Sequence, residues 1–140
     1  APQIRFPDCY GIDMSKMKEF LAFRAVLELI KDNHREDLLD EVFDKCLASQ
    51  SEKDPKNHVA ELYEPFTYDQ VSEKISEIVV PKEMNAKVEV VYQTVDNLHK
   101  ACPNHLGDWY FTGDYPTRGG NRVVNRAFVN YMKGVEVRAY

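Results

Sequence analysis

Leu38, Leu39, Val42, Phe43, Cys46 and Leu47 fall at i, i+1, i+4, i+5, i+8 and i+9. A repeat of about 3.6 residues places all six on one side of a helix. The acidic residues of the same stretch, Glu36, Asp37, Asp40, Glu41 and Asp44, take the opposite side and read as a solvated face. A helix with so sharp a stripe must bury it against another apolar surface. The rest of the chain is therefore read first for what could supply that surface.

Ser15 is a good N-cap for a helix over 16–31, whose apolar positions Met17, Phe20, Leu21, Phe23, Val26, Leu27, Leu29 and Ile30 spread over more than one side. KDNHRED interrupts it. After the striped helix, the polar run at 49–57 predicts a mobile loop open to insertion, and 58–62 a short helical turn. Thr67 with Gln70 three positions on satisfies a capping box. It opens a helix with Val71, Ile75, Ile78 and Val79 on one face, stopped by Pro81. Thr94 caps a further helix to about Lys100. Gly119 and Gly120 read as a turn before an Asn121-capped helix, whose face is Val124, Ala127, Phe128 and Tyr131. Gly134 suits the position just past its end. Two stretches read as short strands, 3–12, where Ile4 and Phe6 alternate, and the β-rich 87–93, and the closing VEVRAY reads as a third strand or a frayed tail. The expected fold is α-rich α+β, a single domain over 1–140 with two or three short strands.

Composition narrows the function classes. A formal net charge of −5 argues against a nucleic-acid groove, which needs a basic face. No run of ~20 apolar residues exists for a membrane span, and the first ten residues, with Arg5 and Asp8, lack the apolar centre of a signal peptide. The three cysteines, Cys9, Cys46 and Cys102, are widely spaced and odd in number, which favours a reducing, cytoplasmic setting over a disulfide framework.

Chemistry-bearing patterns are sparse. TGDYPTRGGNR is neither a dinucleotide fingerprint nor a phosphate loop. Its Arg118, Gly119, Gly120 and Arg122 could offer charge and backbone N–H groups to an anion at a helix start. The plainer reading is that the glycines take a positive φ in a tight turn. His34, His58, His99 and His105 read as solvated loop residues. HKACPNH gathers His99, Cys102 and His105 but lacks a fourth metal ligand. Cys46 reads as a small core residue. On residues alone no catalytic site is visible.

Two stretches resemble a known family. PQIRFPDCYGIDM (residues 2–14) is similar to the P-x-I-x-x-P-C-x-Y-G-I-D segment that ends the phosphoribosyltransferase domain of glutamine amidophosphoribosyltransferases. FTGDYPT (residues 111–117) resembles the F-T-G-x-Y-P-T near that family's C-terminus. Residues 18–106 carry no motif that can be placed. The resemblance implies the C-terminal portion of an enzyme that makes 5-phosphoribosylamine from phosphoribosyl pyrophosphate and glutamine, the first step of purine biosynthesis. Residues 1–14 would end the transferase domain and 15–140 form a helical extension of it.

The family's first-residue cysteine of the glutaminase domain and its acidic D-D-S/T-x-x-x-G-T loop are missing here, since residue 1 is Ala and no D-D pair occurs. The implied partner is the remainder of that enzyme, with a homo-oligomer open and no nucleic acid or membrane expected. The family's magnesium belongs with the missing loop. Some members hold an iron–sulfur cluster through cysteines in these stretches. Here Asp8 stands at the first such position, with Cys9 displaced by one, and Asn104 and Gly107 stand at two others, so no cluster is expected. A helical interaction module sharing only short motifs is the alternative.

Overall fold

The computed structural model describes residues 1–7, 16–105 and 107–140. Among them six α-helices form: α1 (Leu21–Asp32), α2 (Asp37–Ser49), α3 (Tyr68–Val79), α4 (Val95–Ala101), α5 (Trp109–Thr112) and α6 (Arg118–Met132). Two 3₁₀ turns, Met17–Glu19 and His58–Leu62, complete the order. The stripe of α2 finds its surface on α6, and α1 packs on α3. One buried cluster runs from Phe6 to Ala139, with Phe23 edge-on to both Phe128 and Tyr131 at its centre. No helix among the described residues is long and apolar enough to cross a membrane.

No strand forms among the described residues, which corrects the expected α+β class to an all-helical one. A strand exists only with a ladder partner, and none of the β-prone stretches has one among the described residues. Residues 1–7 carry no ladder, and the period of two fails there: Gln3 is buried while Ile4, expected to share a face with Phe6, is exposed. Residues 87–93 and the closing VEVRAY are also unpaired. The remainder of the expected first strand, and Ser15 as a cap, lie outside the described residues.

The first helix begins later than its pattern suggests. Phe20 is extended (φ −88°, ψ 117°) between the Met17–Glu19 turn and α1. That break turns both Met17 and Phe20 into the core, which explains the wide apolar coverage. The capping box of Thr67 and Gln70 is present, and Val80 is extended before Pro81, as a residue preceding proline prefers. Val79 is exposed, off the face it was assigned to.

Helix α6 differs most from expectation. Its cap is Thr117, whose hydroxyl accepts from Gly120 N, so Gly119 and Gly120 lie inside the first helical turn. Neither has a positive φ, and the turn reading of the glycine pair is overturned. Gly134 (φ 66°) does close α6. Its N–H donates to Tyr131 O and that of Val135 to Asn130 O, a Schellman motif.

Candidate functional site

The two outlying motif stretches meet. Gln3 is drawn inside because its side-chain amide can be fully bonded there. Nε2 donates to Tyr68 O (3.0 Å) and Ser72 Oγ (2.7 Å), and Oε1 accepts from Arg5 Nε (3.2 Å) and Nη2 (3.0 Å). The Arg5 guanidinium lies over the Tyr63 and Tyr68 rings at 5.0 and 5.2 Å. Tyr68 Oη accepts from Gln3 N and donates to Gln93 O, while Tyr63 Oη donates to Arg5 O at 3.0 Å. Without a ladder, the Tyr68 and Tyr63 phenols bond Gln3 N and Arg5 O, part of what a buried chain requires.

The second stretch closes the other side. Arg5 N donates to Tyr110 O, and Tyr115 Oη lies 3.1 Å from Pro7 O and 3.5 Å from Phe6 O, partners 108 and 109 positions away in the chain. Phe6 sits edge-on to Tyr63 at 5.3 Å. Gly113 (φ 80°) presses on the Phe6 ring, where a Cβ would come within 2.8 Å of it and within 2.6 Å of Asn57 Nδ2. A Cβ on Gly120 would come within 2.3 Å of Tyr115 Cδ1. Gly120 is therefore glycine so that Tyr115 can pass over α6 to the carbonyls of Phe6 and Pro7. Gly119 meets nothing closer than Thr117 Oγ1 at 3.7 Å.

The anion candidates Arg118 and Arg122 face the loop between α2 and the second 3₁₀ turn. Arg118 pairs with Asp54 at 3.1 Å, and Arg122 Nη2 donates to Glu52 O and Lys53 O. Asn121 Nδ2 donates to Pro55 O, and buried Asn125 bonds Lys56 O, Ser49 Oγ and His58 N. Positions 118, 121, 122 and 125 share one helical face by spacing. That polar stripe holds the loop expected to be mobile, and Pro55 is buried under it. The spacing of Arg118, Asn121, Arg122 and Asn125 carries that signal in the sequence.

The remaining chemistry-bearing residues stay apart. His58 is not a solvated residue: it bonds Glu61 at 3.0 Å, and Glu61 bonds Lys45 at 2.6 Å. Burial raises the Glu61 carboxyl, but Lys45 and His58 outweigh it, so the net shift is downward. His99 pairs with Asp108 at 2.8 Å, and His105 Nδ1 accepts from Gly107 N. Cys102 is exposed, whereas Cys46 is buried and its thiol is pushed up to about 12, by burial first and then by the charge of Glu61. Asp8 and Cys9 lie outside the described residues. Among the described residues no three His, Cys, Asp or Glu side chains gather as metal ligands. Glu36, Asp37, Asp40, Glu41 and Asp44 are exposed, as the stripe of α2 demands.

At the junction, burial lowers the Arg5 guanidinium from its ordinary value, and it raises the phenols of Tyr63 and Tyr68. Those phenols stay protonated at neutral pH and serve as hydrogen-bonding groups rather than acid–base catalysts, which need a pKa near the working pH. The arrangement fastens one chain segment to another. No family model, curated protein or solved structure matches this chain.

Proposed function

We propose that these 140 residues are the C-terminal region of a cytoplasmic amidophosphoribosyltransferase, and that their role is to anchor the end of its transferase domain. One observation carries the reading. The two stretches that resemble the family, far apart in sequence, bond each other through Tyr115 and the carbonyls of Phe6 and Pro7. On this reading the transfer chemistry belongs to the glutaminase and transferase domains, and Arg5, Phe6, Gly113, Tyr115 and Gly120 are positioning residues. Magnesium does not fit these residues, because the acidic loop that would hold its pyrophosphate complex is not among them. An iron–sulfur cluster does not fit either: Asn104 and Gly107 offer no thiolate, and Cys46 is closed in the core.

The test is the complete polypeptide that carries this chain. Given phosphoribosyl pyrophosphate, it is expected to hydrolyse glutamine, and Gly113→Ala is expected to weaken that activity through stability. The isolated 140 residues are expected to be inactive. A complete polypeptide with no glutamine hydrolysis in the presence of phosphoribosyl pyrophosphate overturns the reading, as does enzyme-like turnover (order 1–10³ per second) by the isolated chain. A helical interaction module is the second reading, favoured by the exposed Met84, Val88 and Val91 on one short stretch.

A further inference from the structure

Residues 84–94 run without helix, turn or bend and lie largely in solvent. By period two, Met84, Ala86, Val88, Val90 and Tyr92 fall on one face, and Asn85, Lys87, Glu89 and the exposed Val91 on the other. Val90 and Tyr92 pack on the core, and Val90 N donates to Ser76 Oγ of α3. In an extended chain alternate N–H groups point to opposite edges. With Val90 N bonded to α3, that alternation assigns the amides of Asn85, Lys87, Glu89 and Val91 to the opposite edge, and none has a hydrogen-bond partner among the described residues. Although it belongs to no sheet, the segment offers a row of unpaired amides, which can take up another strand as a sheet edge does. Beside it, a groove of about 690 Å³ runs along the end of α3 past Glu73, Glu77 and Val80.

The charges choose the occupant. Two copies of one strand pair antiparallel about a two-fold axis, and opposite residues then share a face. Centred on Lys87 or on Glu89, the pairing sets two like charges against each other. Centred on Val88, it sets Lys87 of each copy opposite Glu89 of the other, Ala86 opposite Val90, and Val88 opposite itself. Of these three registers only the last joins opposite charges while keeping the apolar row continuous. We propose that residues 85–91 form a two-fold antiparallel ribbon with a second copy of this chain, centred on Val88. The outward amides of Lys87 and Glu89 then exchange hydrogen bonds between copies. This interface does not depend on the enzymatic reading.

Sedimentation equilibrium on the 140-residue chain tests it, with circular dichroism to confirm that each variant folds. The wild type is expected to rise from one to two copies in mass with concentration. Lys87→Glu or Glu89→Lys alone replaces both opposite-charge pairs with like pairs and is expected to weaken association about tenfold. An equimolar mixture of the two single variants restores complementary pairs and is expected to regain the wild-type affinity, as is the double exchange K87E/E89K. A wild type that stays monomeric to about 1 mM overturns the proposal. So do single variants that associate like the wild type, or a mixture that fails to recover.

Discussion

Residues 1–7 and 84–94 are both β-prone, both run without a bend, and neither joins a ladder. One is locked in the core, with Phe6 at 2% exposure, and the other lies outside, with Val91 at 81%. The difference is not apolar content. Residues 1–7 lie where Tyr63, Tyr68 and Tyr115 can bond their backbone and Gln3 can satisfy its amide. Among the described residues, the hydrogen bonds of 85–93 are those of Val90 N to Ser76 Oγ and of the Tyr68 hydroxyl to Gln93 O. A lone extended segment is buried when side chains stand in for a neighbouring strand, and stays out when they do not.

The largest way to break that contrast is truncation. Phe6→Ala is expected to cost about 3–5 kcal/mol of unfolding free energy, as for a buried phenylalanine. Val91→Ala in the exposed segment is expected to stay within about 0.5 kcal/mol. Urea denaturation of both variants checks this, and equal losses would erase the distinction.

The glycine pair of α6 sharpens it. Gly120→Ala drives a methyl into the Tyr115 ring, which is tethered to the carbonyls of Phe6 and Pro7, and is expected to cost about 1–3 kcal/mol. Gly119→Ala, one residue away in open space, is expected to stabilise by up to ~1 kcal/mol through helix propensity. Opposite signs in thermal melting are the expected result. Tyr63→Phe removes the donor to Arg5 O and is expected to cost about 1–2 kcal/mol.

The smallest effect is on rates of labelling rather than stability. Cys102 is expected to react with a thiol reagent in the folded chain, while Cys46, buried and with its thiol raised, waits for unfolding. Peptide mapping after timed alkylation distinguishes them, and early labelling of Cys46 would mean that α2 and α6 open readily.

The helices were legible because their signals are local. The stripe from Leu38 to Leu47, the Thr67–Gln70 box, the Thr94 cap and the Gly134 terminus each lie within one element. The strands were misread because β-propensity describes a fit to a pleated surface and cannot say whether a partner exists. The fastening of the polar loop at 49–57 was hidden for a related reason. Its anchors Arg118, Asn121, Arg122 and Asn125 lie some seventy positions later, on a face masked by a glycine pair. At the junction Phe6 and Gly113 stood inside the quoted motifs, but Gln3 drawn inward and Arg5 between two tyrosines had no local signature. Thr117 is the cap in place of Asn121 because Gly119 and Gly120, expected to form a turn before the helix, fit its first turn and admit Tyr115.

The central claim is that the two motif stretches fold as one unit, and a double-mutant cycle on Phe6→Val and Gly113→Ala tests it most directly. The alanine methyl at 113 would collide with the Phe6 ring, so removing the ring relieves part of its cost. The double variant is expected to be destabilised by less than the sum of the two single variants, with a coupling of about 0.5–3 kcal/mol in urea unfolding. Additivity to within about 0.3–0.5 kcal/mol would contradict the account, because it would mean that the Phe6 ring and Gly113 are not packed together and that residues 1–7 and 111–117 do not fold as one unit.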